Sequence, residues 1–511
     1  MTQKAVTDAL AQKADSSALA AKADASALAN KLEASDLTNY ATKTYVDDAV
    51  ANVEVTGNSG ITNLGSSNAG KLVKVGNTGA VTAGAIDEAD LVELLLRSDA
   101  YSTEGILGLE IDYENKSFSR LFDAANKTAG SDFDSYRMYR GRKICNVADD
   151  GSINAFHSSI SFKEDGTNGQ VMIMQPKFYY QRIPMKVENT SNGIIVRKER
   201  LFLSDEPQVG FKLHPLFEDN NKNELDYVFT PVYEGSLINN KLSSLAGVQP
   251  AANLNPVLGE LAAARRGTGW HMTTAQFESA NQMLQIMEYG TMNSQSAIEK
   301  GICSLPDDGT SNLSCYTGST ASIGEGTGAA ASSTNPNATY NVDGKRAIRY
   351  RGMENPWGNM WHTLANIIVF GNGSRRGGTP YICSTYDYAT TLTSNYHSLN
   401  FNLAPANGWI SAMAYNSDYD WIYMPIECDS NANSAAPVGD NLWVVTNLNG
   451  LKMAAVGGNW RFDESTGIFF YACDQDIDST LRSFGASLMF IPTKNDIYTA
   501  NLTDWGVEME G

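Results

Sequence analysis

The sequence predicts an α+β protein in three parts: a helical repeat stalk over residues 1–54, a small Gly-rich β collar with a short helix over 55–100, and a β-rich body with two helices beyond, the whole associating as a trimer. The stalk rests on one nine-residue phrase written three times. Ala9–Ser17 reads ALAQKADSS, Ala18–Ser26 reads ALAAKADAS, and Ala27–Ser35 reads ALANKLEAS. A fixed internal period marks a fibrous or stacked element. Leu10, Leu19, Leu28 and Leu37 recur, with Ala14, Ala23, Leu32 and Ala41 four places later. Nine residues make about two and a half helical turns, so successive leucines point to opposite sides and a heptad coiled coil is excluded. Asp15, Ser16, Asp24, Ser26, Ser35 and Asp36 are capping types that reset the phase. Short capped helices with so little apolar surface need identical neighbours to hold them. A disordered Ala/Lys/Asp-rich tail is the alternative.

The collar rests on glycines at 57, 60, 65, 70, 76, 79 and 84, between β-favouring pieces at Leu72–Val75 and Val81–Ala83. Asn77-Thr78-Gly79 is a turn signal between them. Asp87-Glu88 start a short helix. A β-rich neck follows over 101–164, then a head over 165–495 and a tail over 496–511. Gln170–Ile183 reads as a strand pair, with further strands in Val209–Phe217 and Tyr227–Tyr233. Asn255 can cap a helix with Pro256 at its first position, and Val257, Leu258, Leu261 and Ala264 make its apolar stripe. A second helix begins at Thr273 with Gln276 completing a capping box, carries Phe277, Ala280, Leu284 and Met287 inward, and stops at Gly290. Gly318–Asn337, rich in Gly, Ala, Ser and Thr, reads as a surface loop.

Bulk numbers narrow the function. A chain of 511 residues, 42% apolar and 19% charged, is an ordinary folded protein with room for several domains. A net charge of −19 disfavours nucleic acid, which demands a basic face, and docking on anionic membrane by charge. No apolar run is long enough to span a bilayer, and the amino end lacks the basic-then-apolar pattern of a signal peptide, so synthesis in a cytoplasm without membrane insertion is expected. Six scattered cysteines read as free and buried, with a Cys303–Cys315 bridge left open.

Four segments then resemble, in family order, the formylglycine-generating-enzyme branch of C-type-lectin-like folds. Gly269-Trp270-His271-Met272-Thr273-Thr274-Ala275-Gln276-Phe277-Glu278 is similar to its GWRLPTEAEWE helix entry, and Asn355-Pro356-Trp357-Gly358-Asn359-Met360-Trp361 to its GNVWEW segment. Val456-Gly457-Gly458-Asn459-Trp460 is similar to its RGGSW strand and Phe484-Gly485-Ala486-Ser487-Leu488-Met489-Phe490 to its closing GFRL strand. From Gly108 onward the chain also resembles bacteriophage tail-fibre proteins with such a head, in Cys145–Gly151, Gln175–Tyr180 and Gly210–Pro215. The repeats resemble fibre stalks from the same source. The resemblance implies a C-type-lectin-like receptor-binding head and a trimeric distal tail fibre at the virion tail tip. Its amino end would join tail or baseplate proteins, and its head would adsorb to a bacterial surface glycan or protein. In some relatives a retroelement diversifies the stretch that here is Arg461–Ser483. Two departures matter. His362-Thr363 replace the usual Glu-Trp, and only Cys473 lies between Trp460 and Phe484, so the oxidase chemistry of the enzyme members is not implied.

No catalytic constellation stands out. His157, His214, His271, His362 and His397 share no metal-ligand spacing, and no nucleophile elbow, P-loop or dinucleotide fingerprint is present. Asp474, Asp476 and Asp478 alternate, which reads as a solvated acidic loop or a Ca²⁺ site; no other cofactor is expected. Aromatic residues mixed with Asn, Ser, Thr and Gly over 381–423 either fill a core or form a recognition surface, and clustering on loops favours the surface. The expected contact residues are Arg461, Phe462, Asp463, Phe470, Tyr471, Asp474, Gln475, Asp476, Asp478 and Arg482, with Tyr386, Tyr388, Trp409 and Trp421. Phe469 is expected to point inward. The alternatives are a polysaccharide-cleaving tailspike and a baseplate spacer that binds no cell.

Overall fold

A computed structural model describes residues 73–75, 81–83, 103–331, 343–373, 377–445 and 448–492. The chain divides into two compact units, Met1–Arg97 and Ser98–Gly511. In the first, Val73–Val75 pairs antiparallel with Val81–Ala83, where the sequence places a hairpin. The repeat stalk, the helix after Asp87 and the tail 496–511 lie outside the described residues.

The second unit corrects the fold class. Among the described residues strand accounts for 37% and helix for 13%, in large mixed sheets. This is a mostly β protein and not the expected α+β, C-type-lectin-like head. The reason is visible in the helices: two longer ones form, but neither belongs to a helical layer. One fourteen-stranded sheet and one six-stranded sheet carry the unit. Two pairings in the larger are parallel, Asn441–Val444 with Tyr471–Cys473 and Trp361–Asn372 with Phe484–Gly485.

The expected neck is not separate. Ile106–Asp112 pairs along Gly193–Ser204 in the large sheet, while Lys143–Val147 pairs with Gln170–Pro176 in the smaller one. Nor is Gln170–Ile183 a strand pair. Gln170–Pro176 and Tyr179–Thr190 belong to different sheets, and the chain crosses between them at Lys177-Phe178.

Helix α1, Pro256–Ala264, is capped by the Asn255 side chain with Pro256 in its first turn, as expected. Its buried face is the opposite of the one expected. Pro256, Gly259, Ala262 and Ala263 face inward, while Leu258 and Leu261 are exposed. Close approach decides it, because a Cβ on Gly259 would lie 2.7 Å from the Met272 sulfur and 2.9 Å from the Ala486 methyl. Only the small-residue face fits so near.

Helix α2, Ala275–Tyr289, is capped by Thr274, one residue later than expected, and ends at Gly290 in the left-handed conformation at φ 63°. Phe277, Ala280, Leu284 and Met287 are buried, but so are Glu278, Asn281, Gln282, Gln285 and Glu288. A helix enclosed on all sides must pair its polar groups inside. Glu288 accepts from Tyr350 Oη at 2.9 Å and from Arg351 Nε at 2.7 Å, and Arg142 donates to Asn281 at 3.1 Å. His362 Nδ1 stands 3.5 Å from Glu278, with Glu234 3.8 Å from Nε2. Burial alone would pull His362 down, but the two carboxylates outweigh it and push it up to about 9. The triad ties α2 to the strand Trp361–Asn372.

The segment 318–331 is no plain surface loop. Glu354 accepts from the backbone N–H of Gly318 and Thr320, each at 2.8 Å, and Arg349 donates to Thr320 Oγ1 at 2.7 Å. The six cysteines are free, five of them buried. Among the described residues no helix is long and apolar enough to cross a membrane.

Candidate functional site: an aromatic platform on the large sheet

The strand Asn441–Val444 alternates, with Leu442 and Val444 in the main core and Asn441 and Trp443 on the other face. Trp443 is 39% exposed, much for the largest apolar side chain. In the antiparallel neighbour Gly408–Tyr415, Trp409 stands opposite Asn441 and is half-buried. The two indoles therefore share a face as diagonal neighbours, about 7–8 Å apart at Cα. On the other flank Ala472 stands beside Trp443 and Ala455 beside Ala472. Phe462 packs on the cluster containing these alanines. Its ring meets Trp443 edge-on at 5.1 Å and continues inward to Trp361 at 5.5 Å and Phe470 at 5.4 Å. The second core thus stops at Phe462, with Trp443 at its open margin and Trp409 on the same face of the neighbouring strand.

The loop beside these rings is held firmly. Asp463 has φ 46°, the left-handed region that Asp tolerates better than most residues. Its N–H donates to the Cys303 carbonyl at 2.9 Å, and its carboxylate accepts from Ser304 Oγ at 2.7 Å. Gln295 Nε2 donates to the carbonyls of Asp463 at 2.7 Å and Thr466 at 3.0 Å, and Asn441 Nδ2 donates to Ser465 Oγ at 2.9 Å. Asp307 clasps both ends of the 461–482 segment, accepting from Arg461 at 2.9 Å and from Arg482 at 2.7 and 2.8 Å. Burial pushes the Asp307 carboxyl up, but hydrogen bonds from Arg482 and the nearby Arg461 outweigh it and hold it below the usual range. Such partly exposed pairs contribute little to global stability. Asp307→Ala should accordingly cost under about 1 kcal/mol, yet speed amide hydrogen exchange over 461–466; unchanged exchange there would show that the clasp is idle.

Beneath the platform lies a titratable anchor. Asp440 is fully buried, accepting from Ser294 Oγ at 2.8 Å and the Phe469 N–H at 2.9 Å. A Cβ on Gly467 would fall 2.1 Å from its carboxylate, so glycine is required there. Burial pushes the Asp440 carboxyl up to about 7, the bonds from Phe469 and Ser294 offsetting only part of it. The folded value exceeds the ordinary 3.8, so this contribution is fully present below pH 3.8 and is lost as pH rises through about 7. Stability should decline across that window at up to about 1.4 kcal/mol per pH unit, and Asp440→Asn should flatten the decline in denaturant titrations from pH 4 to pH 8.

Several expected contact residues are core. Phe470 is fully buried and Tyr471 is 2% exposed, set in the main core with Cys473, so alanine at Tyr471 makes a cavity and does not report on contact. Trp421 and Tyr388 are buried too; the aromatic run over 381–423 contributes more to packing than to surface. Phe469 points inward as expected. Tyr386 is half-buried and stacks on His271 at 3.8 Å, whose Nδ1 meets Glu260 at 2.7 Å. That pair is remote from the platform. The strand Thr379–Cys383, just before Tyr386 and Tyr388, is four strands from Asn441–Val444 in the sheet order, about 19 Å.

Arg461, Asp463, Asp476 and Asp478 are exposed, and Phe462, Asp474, Gln475 and Arg482 are half-buried. Asp476 pairs with Lys452 at 2.5 Å, and burial pushes Asp474 up. Among the described residues no group of three His, Cys, Asp or Glu side chains is placed to hold a metal ion. Sequence reasoning missed Trp443, Asn441, Asp440 and Asp307. The signal for the first two was the alternation in Asn441–Val444, a β-favouring run whose outward positions are Asn and Trp. No family model and no curated protein matches the chain.

Proposed function

We propose that this chain is a receptor-binding protein, the distal tail fibre of a bacteriophage, that attaches the virion to its bacterial host by non-covalent contact. Three copies bundle through the amino-terminal repeats, and the amino end joins tail or baseplate proteins. The protein is made in the host cytoplasm and resides at the virion tail tip. The reading needs no cofactor and no catalysis. Its support in sequence is the threefold nine-residue phrase and the tail-fibre-like segments from Gly108 onward. The observation that carries it is Trp443, an indole held 39% open on a rigid sheet face. Beside it lies a loop fixed by Gln295, Ser304 and Asp307. Rigid aromatic anchors in a preorganised frame lose little entropy on contact. Three weak sites on one fibre, and several fibres per particle, then gain affinity through effective concentration. The test is fluorescently labelled protein incubated with a panel of Gram-negative and Gram-positive bacteria. Saturable binding to at least one strain, competed by unlabelled protein, is the expected result; failure on every strain of a broad panel would overturn the reading.

A further inference from the structure

We infer that the ligand of the Trp443 platform is an uncharged saccharide chain, an inference that rests on the receptor-binding reading above. The platform is an open face flanked by Trp443 and Trp409, which suits an extended chain laid across two rings. Indole rings offer flat apolar faces with one polar edge, matching the CH face and hydroxyl rim of a pyranose. The polar groups around them are short and planar or hydroxylic: Asn441, bonded to Ser465, and Asn407, whose side chain accepts from the Val444 N–H at 2.6 Å. Such groups trade hydrogen bonds with sugar hydroxyls without a charge to neutralise.

Charge disfavours the anionic alternative. Asp429 stands directly opposite Trp409 in register, and Asp463 and Glu464 are exposed on the adjoining loop. Arg461, the cation of that loop, is paired with Asp307 and lies over the Phe462 ring at 5.2 Å. A phosphate- or uronate-rich chain meets carboxylates here, on a protein of net charge −19. A protein receptor fits poorly as well. Specific interfaces bury an apolar centre with several anchors, and another exposed apolar ring of this sheet, Phe370 at 38%, lies three strands away from Trp443.

The test uses the full chain and the strain it binds. Cells are treated with periodate, which cleaves vicinal diols of sugars, or with proteinase, and binding is measured again. Polysaccharide extracted from the strain is separated by anion exchange into neutral and acidic fractions, each used as competitor. The inference predicts loss of binding after periodate, retention after proteinase, competition by the neutral fraction, and about thirty-fold weaker binding of that fraction by Trp443→Ala. Loss after proteinase alone, or competition by the acidic fraction alone, overturns the saccharide assignment while the receptor reading stands. Equal binding of the neutral fraction by Trp443→Ala moves the sugar to another surface and overturns it too. Absence of binding to any untreated cell is failure of the receptor reading itself.

Discussion

Arg182→Met should destabilise the second unit by about 3–5 kcal/mol, the cost typical of stranding one charge of a buried pair. Arg182 and Glu199 are both fully buried, and their ion pair links Tyr179–Thr190 to Gly193–Ser204. The guanidinium also donates to the Ile422 carbonyl at 2.9 Å and to the Ala414 carbonyl at 3.3 Å, and it lies over the Tyr423 ring at 4.1 Å. Removing it leaves Glu199 without its countercharge, with only Tyr113 Oη among the described side chains still donating, at 2.7 Å. Several carbonyls of the 414–422 segment lose their donor too. Domains stand only about 5–15 kcal/mol above unfolding, so this variant should be poorly folded or sharply less stable. Replacing both members, Arg182→Met with Glu199→Met, removes both desolvation costs and should recover most of the loss. Denaturant midpoints of wild type, both single variants and the double variant check this; a double variant as weak as the single would show that the carbonyl bonds, not the charge pair, carry the effect.

Trp443→Ala should weaken binding to a susceptible strain by about thirty-fold or more, the 2 kcal/mol or greater effect of a central aromatic anchor. The same change should hardly move the melting temperature. Trp443 is 39% exposed and touches Phe462 by one edge, and Leu442 and Val444 keep the strand seated in the core. The contrast between affinity and stability separates contact from packing. Trp421→Ala, at a buried ring, should do the reverse and destabilise by about 3–5 kcal/mol. If Trp443→Ala melted early and bound normally, the ring would be a packing residue and the platform would lose its meaning.

Part of this was legible in the sequence. Local chemistry reads well: Asn255 and Pro256 start a helix and Gly290 stops one, because caps and left-handed glycines depend on a few neighbouring residues. Which face a helix buries reads poorly. The apolar stripe of α1 points outward because Gly259 permits close approach on the other side, a fact of tertiary distance. The fold class failed for a related reason. Strands as far apart in sequence as 193–204 and 408–415 join one sheet, and pairing over such separations leaves no local trace. In the candidate site, Arg461, Phe462, Asp463 and Trp409 were legible as a polar and aromatic cluster. Phe470, Tyr471, Tyr388 and Trp421 were misread because composition cannot tell a ring that fills a core from a ring that faces a partner. Trp443 was missed because a single indole in a four-residue strand carries no compositional weight.

The most direct measurement is oxidative footprinting of the unmodified protein, free and bound to its host cells, read residue by residue by mass spectrometry. Trp443 should lose most of its reactivity on binding, while Leu258 and Leu261, exposed on the outer face of α1, keep theirs. A Trp443 indole equally reactive in both states would contradict the account, whatever else the protein proves to bind.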